Sequence, residues 1–229
     1  MGLFKDEEDV RSSPRQDFGG KEVLPGDIKY KDVNGDGMVN NDDIVPIGYR
    51  TVPGVQYGMG LSTSWKNFEF NILFQGSGKC DFFIGGNGPH AFRNGQTGNI
   101  LQTMVDDNRW IPSEISGDVS TENPNANWPR LTWGNNDNNN QKSTFWLRDG
   151  RYIRLKNIEL RYNVPTTFTR KFFVSNMQIG FIGENLHTWS PFKLWDPENA
   201  TTDEKNSGVR SGNAYPINRT YSCYIKLSF

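Results

Sequence analysis

The sequence has no run of apolar residues near the roughly 18 that a membrane-spanning helix requires. Helical membrane proteins are thereby excluded. It also lacks an excess of charge: 25 Lys and Arg stand against 26 Asp and Glu, for a net charge of -1. A nucleic-acid binder carries a basic stripe, so none is expected. Two cysteines, Cys80 and Cys223, are too few for a disulfide scaffold, although one bridge stays open. The opening residues MGLFKDEEDV have no basic stretch followed by an apolar one, hence no secretory signal peptide. Taken alone, that favours the cytoplasm; the rest of the sequence contradicts it.

What is present leans away from helix. The 229 residues include 15 Phe, 8 Tyr, 7 Trp, 24 Gly, 12 Pro and 25 Asn, a mixture of strand and turn formers. Mean hydropathy is -0.70, which still allows a membrane β-barrel, since half of each barrel strand faces a polar lumen. One short helix is expected within 99–110, with Ile100, Met104 and Trp110 on one side.

Elsewhere the apolar period is two. Tyr57, Met59, Leu61, Thr63 and Trp65 alternate with Gly and Ser. After a two-residue turn at Lys66-Asn67, Phe68, Phe70, Ile72 and Phe74 alternate with Glu69, Asn71, Leu73 and Gln75, which predicts a hairpin. A third strand lies within 145–164, where Ile153 and Leu155 share one parity and Ile158, Leu160 and Tyr162 the other; a bulge near Lys156-Asn157 reconciles them. A fourth covers about 176–185, and a fifth runs from Ile217 to Phe229 with Tyr221, Cys223, Ile225 and Leu227 on one face.

The connections run short, long, short, long. That is the pattern of an outer-membrane barrel, with short periplasmic turns and long extracellular loops. The fold class expected is all-β: the C-terminal portion of a transmembrane antiparallel β-barrel, about five strands, with long extracellular loops. Parity places residues 1–54 on the extracellular side and Phe229 at the periplasmic rim. The alternative is a soluble, calcium-stabilised β-sandwich, a secreted adhesin or lectin. The two differ in what covers Tyr57, Met59, Leu61, Phe68, Phe70, Ile72 and Phe74: lipid in the barrel, a second sheet in the sandwich.

One motif carries chemistry. Residues 32–43 place Asp32, Asn34, Asp36, Asn40 and Asp43 at positions 1, 3, 5, 9 and 12 of a loop, with Gly37 at position 6. This is calcium-loop spacing. Ca²⁺ takes about 6–8 hard oxygens. Asp32, Asn34, Asp36 and Asp43 offer side chains, Met38 its carbonyl oxygen, and Asn40 a contact through water. The bland reading is a pair of Asn-Gly and Asp-Gly turns with solvated carboxylates. The site would be structural: no base or nucleophile adjoins it, and no catalytic residue or enzymatic activity is expected.

Other signals are weaker. His90 and His187 fall in loops and read as surface residues. Asp106-Asp107 and Asp203-Glu204 are candidate glycosidase carboxylates but, in loops this polar, read as solvated charge. Trp128, Trp133, Trp146, Trp189 and Trp195 either stack on sugar rings or anchor otherwise polar loops.

Together these motifs resemble a known family. The strings PGDIKYKDVNGDGMVNNDDIVPIG, YGMGLSTSWKNFEFNILFQG, LRDGRYIRLKNIELRYNVP, ENLHTWSPFKLWDPE and the ending YPINRTYSCYIKLSF are similar, in order, to the C-terminal part of SusC/RagA-type TonB-dependent (TonB-linked) outer-membrane receptors of Bacteroidota. The resemblance runs from about Gly2 to Phe229. It implies a share of a 22-stranded barrel in the cell outer membrane, closed by a plug, and a calcium-type loop at this place. It also implies a SusD-type surface lipoprotein as partner, energy relayed from the TonB complex through an N-terminal part, and import of an oligosaccharide or peptide ligand. Phe229 matches the terminal aromatic by which such barrels are recognised for assembly. Signal peptide, TonB box, plug and most strands are expected to lie outside this sequence.

Overall fold

A computed structural model describes residues 2–95, 98–106 and 108–229, with Thr202 and Asn206 by backbone only. Among these, no helix is long and apolar enough to cross a membrane. The chain divides into two compact units. Tyr49–Asp81, Asp149–Thr201 and Ala214–Phe229 form a sheet unit; Met1–Gly48, Phe82–Arg148 and Thr202–Asn213 form a loop unit. The division interleaves along the chain: 82–148 and 202–213 fold with the N-terminal segment up to Gly48.

The sheet unit is a five-stranded antiparallel meander. Its strands are β1 (Val55–Trp65), β2 (Phe68–Gly78), β3 (Tyr152–Val164), β4 (Asn176–Trp189) and β5 (Thr220–Ser228), paired in sequence order. The five strands read from the period-two pattern are these five. Lys66 and Asn67 close the first hairpin, since Trp65 faces Phe68 directly. The fourth strand runs to Trp189, further than the pattern suggested, and so takes His187 and Trp189 out of the loop where the sequence reading put them.

Register aligns the apolar side chains into rows. Leu61, Ile72, Ile158, Gly183 and Tyr221 form one row across all five strands; Trp65, Phe68, Tyr162, Ile179 and Ile225 form another. The rows stay aligned because Lys156 is an extra residue. Leu73 faces Asn157 and Phe74 faces Leu155, leaving Lys156 unpaired on that side. This is the bulge that the parity slip called for, and the Lys156 ammonium donates to Asn185 Oδ1 at 3.1 Å.

The two faces differ in kind. On the row face, Met59 and Leu61 are 68% and 60% exposed and Tyr221 and Ile225 are 63% each. Among the described residues no second layer covers them, which removes the condition the β-sandwich needed. On the other face, Arg161 bridges Glu69 (3.0 Å) and Glu159 (2.8 Å). Asn71 and Tyr224 donate to Glu159, and Asn163 donates to Glu69. β1 contributes Gln56 there and otherwise only small groups, Gly58, Gly60, Ser62 and Ser64.

The loop unit is built from short pieces. Gly2–Leu3 pairs antiparallel with Ile28–Lys29, and Arg15–Gln16 runs parallel to Met38–Val39. Phe83 and Ile84 pair in parallel with Val209 and Arg210. A helix at Glu7–Ser12 is capped by Asp6, whose carboxylate accepts the Asp9 N–H at 2.8 Å. The short helix expected in 99–110 is Gln102–Asp106, with Met104 buried. The core gathers Phe4, Ile28, Val39, Phe82, Met104, Trp110, Trp128 and Trp146.

Candidate functional site

The 32–43 loop adopts a tight, turn-rich course. Gly35 and Gly37 take φ of +78° and +86°, values that favour glycine. Asp32 Oδ1 accepts from the Gly35 N–H at 2.6 Å and Oδ2 from the Gly37 N–H at 2.9 Å. Asn34 Oδ1 accepts the Asp36 N–H at 2.9 Å, and Asp36 Oδ1 the Met38 N–H at 2.8 Å. Asp43 is buried and closes the loop: Oδ1 accepts the Val33 N–H at 2.7 Å, and Oδ2 the Asn40 N–H at 2.9 Å. Asn40 caps the turn Asn41–Asp43 in return. The Asn40 N–H, with those of Val33 and Asn34, holds the Asp43 carboxyl below the usual carboxylate range.

The side chains of Asp32, Asn34, Asp36, Asn40 and Asp43 are therefore all engaged by the loop's own backbone. Among the described residues, no three His, Cys, Asp or Glu side chains gather into a metal-holding group. The donor set is nonetheless all hard oxygen; Asp43 Oδ1 takes the N–H groups of both Val33 and Asn34, and each other carboxylate oxygen keeps a second lone-pair position. These residues fit a calcium ion in chemistry; the arrangement described is a hydrogen-bonded loop.

A second cluster had no signal in the sequence reading. Asp27, fully buried, accepts Nη2 of Arg130 at 2.9 Å and the Asn139 amide at 2.7 Å. It also accepts the Leu24 N–H at 2.9 Å. Asn139 Oδ1 accepts the Ile28 N–H at 2.8 Å, and the Asn139 carbonyl accepts the Trp146 indole N–H at 2.6 Å. Asn138 donates to the Ile28 carbonyl at 3.0 Å. Next to them, Gly26 takes φ +82° and lies under Trp110; a Cβ there would stand 2.3 Å from the indole. Asn136, Asn138 and Asn139, in a segment that reads as polar loop, are interior to this unit. Only the pairing of an isolated acid with an Arg about a hundred residues away would have signalled it, and spacing cannot show that.

The weaker signals separate. Trp128 and Trp146 are buried anchors, 6.1 Å apart between rings. Trp133 is 62% exposed beside Phe92, at 5.6 Å. His90 is not the surface residue expected. It is 8% exposed, packs edge-on to Trp146 at 5.1 Å, and burial, with a smaller contribution from Arg93, pushes its pKa down to about 4. Glu204 accepts the backbone N–H and hydroxyl of Ser211 at 2.7 and 2.6 Å, a structural use of its carboxylate. Asp106 accepts the Gln102 amide at 2.8 Å, whereas Asp107 lies outside the described residues. Neither cysteine forms a disulfide; Cys80 is buried and Cys223 is on the row face of β5.

In the sheet unit, Arg154 is 1% exposed and holds the segment after β4. Its Nη2 donates to both oxygens of Asp196, at 2.7 and 2.8 Å, and lies 3.2 Å from Glu198.

No protein-family model matches the chain. It is 29% identical over 233 residues to the TonB-dependent receptor P26 of Formosa agariphila, covering 100% of this chain and 22% of that protein. It is 28% identical to the TonB-dependent receptor P3 of the same organism, covering 90% of this chain and 19% of that one. The chain thus spans about a fifth of the length of these relatives. Among solved structures it is similar to the RagAB peptide importer in its open-open state, with a TM-score of 0.63, 20% identity, and cover of 100% of this chain and 21% of that chain. A second RagAB structure, described as a peptide transporter, gives a TM-score of 0.60 at 21% identity, covering 90% of this chain and 20% of that chain. These likenesses bear out the resemblance to the SusC/RagA-type TonB-dependent receptors and agree with a fold built mostly of strands.

Proposed function

We propose that this chain is part of a TonB-dependent receptor in the cell outer membrane that imports glycans or other oligomeric nutrients together with a SusD-type surface lipoprotein. The observation that carries the reading is the two-faced sheet. Its apolar rows are bare on one side, while the other side holds ion pairs and amides joined to one another. An outward lipid face and a polar lumen require this division. No bond is made or broken in this role. β1 and β5 are the open edges of the meander, and further strands of the receptor would pair with them. The TonB complex would act through an N-terminal plug, and the exposed Trp133, backed by the half-buried Phe92, supplies an aromatic surface for a sugar or peptide ligand.

The 32–43 loop would hold Ca²⁺ through Asp32, Asn34, Asp36 and Asp43, the Met38 carbonyl and, through water, Asn40. The ion would cross-link the loop and take no part in transport chemistry.

The deciding experiment is extraction from outer membranes. The receptor is expected to need detergent, to migrate faster unheated than boiled on a denaturing gel, and to carry a surface lipoprotein through purification. A folded, monodisperse 229-residue chain in plain buffer would overturn the reading.

A further inference from the structure

The apolar rows end at one that is built differently. Tyr57, Gly76, Ile153 and Trp189 face one another across β1 to β4. This is the sheet end from which the chain enters its two long connections, 79–151 and 190–219. The missing side chain at Gly76 leaves a notch, and the Tyr57 ring lies across it: a Cβ there would stand 2.4 Å from that ring. The Tyr57 hydroxyl donates to the Tyr152 carbonyl at 3.3 Å. Around the notch is a recess of about 440 Å³.

The far wall of the recess is cationic and polar: Arg151, Ser190 and Lys193. The Ser190 hydroxyl donates to the Arg151 carbonyl at 2.9 Å and accepts the Phe192 N–H at 3.2 Å, which fixes the two segments together. Arg151 Nε lies 2.9 Å from Asp149, which leaves its terminal N–H groups. Among the described residues, no carboxylate stands within 4.0 Å of the Lys193 ammonium. The near wall remains greasy and open, with Tyr57, Ile153 and Trp189 at 43%, 42% and 49% exposure.

A recess half aromatic and half cationic, on the lipid-facing side of a strand end, matches an amphiphile. We propose that it binds the phosphate-bearing headgroup of an outer-leaflet glycolipid. The phosphate pairs with Lys193 and the free edge of Arg151, and the sugar lies on Trp189 and Tyr57. A soluble anion would gain nothing from the three apolar side chains, so the lipid is the source the walls favour. The proposal rests on the barrel reading, because that reading places this face in the membrane.

The test is native mass spectrometry of the receptor extracted from outer membranes and incubated with a phosphorylated lipid A-type glycolipid, the same lipid after phosphatase treatment, or inorganic phosphate. Wild type is expected to retain the phosphorylated lipid at least tenfold better than the dephosphorylated one, and millimolar phosphate should not displace it. Arg151→Gln with Lys193→Glu should lower retention at least tenfold while heat-modifiable migration is unchanged. Should that double variant fail to assemble, Lys193→Gln alone decides, with severalfold loss expected. Equal retention of the two lipids, unchanged retention in the variants, or displacement by inorganic phosphate would each overturn the site. Loss of heat-modifiable migration in the wild type would instead sink the barrel reading.

Discussion

Asp27 and Arg130 meet inside the loop unit along two contacts: Arg130 Nε lies 2.8 Å from Oδ1, and Nη2 donates to Oδ2 at 2.9 Å. Breaking such a buried pair leaves one charge without compensation, at a cost of about 3–5 kcal/mol. Asp27→Ala is therefore expected to open 82–148 to limited proteolysis. Asp27→Asn, which keeps an acceptor but not the charge, should cost less, and a double replacement of Asp27 and Arg130 by apolar residues should recover part of the loss.

His90 makes this unit acid-sensitive. Its pKa in the folded state, about 4, lies below the ordinary 6.5. A depressed histidine favours folding above its unfolded pKa, and that contribution is lost as pH falls from about 6.5 toward 4. The full loss is on the order of 3 kcal/mol. Hydrogen exchange of the unit's amides should accelerate through that window, and His90→Phe should flatten the profile.

Leu61 and Ser62 are neighbours on opposite faces of β1. An arginine on the lipid face near the membrane midplane costs about 2–4 kcal/mol, whereas lumen positions tolerate it. Leu61→Arg should reduce the amount of heat-modifiable receptor in outer membranes. Ser62→Arg should leave it near wild type; the reverse order would contradict the assignment of faces.

Arg154 is a clamp in which one nitrogen, Nη2, meets both oxygens of Asp196 and lies near Glu198. Arg154→Ala should free 190–199 and create new protease cleavage there. Arg154→Lys should restore much of the hold, because a single cationic nitrogen makes all of these contacts.

For the 32–43 loop, calorimetry with millimolar Ca²⁺ is expected to show binding at about 10⁻⁴–10⁻³ M. Asp36→Ala should abolish that heat. Absence of heat in the wild type would leave the loop as a hydrogen-bonded turn only.

The strands were legible because one cause, alternation between two environments, repeats along every one of them. The bulge was legible for the same reason: Ile153 and Ile158 can share a face only if one residue between them is extra. The loop at Asp32 was legible because its contacts are local, all within twelve residues. The Asp27 cluster was not, because Asn136, Asn138 and Asn139 are turn residues by local preference and become interior through partners 109–112 residues away. His90 was misread for a related cause: nothing adjacent in sequence forecasts Trp146 against its ring.

The unpaired Lys156 has a genetic consequence. Elsewhere in a strand, losing one codon in frame turns every following side chain to the opposite face. Deletion of this codon would instead put β3 in unbroken two-residue phase, with Ile153 and Leu155 still on the apolar rows and Arg154 still on the polar side with Asp196. The stretch is thus a tolerant point in an otherwise length-bound strand, and loss of Lys156 should be less harmful than loss of a paired neighbour such as Leu160.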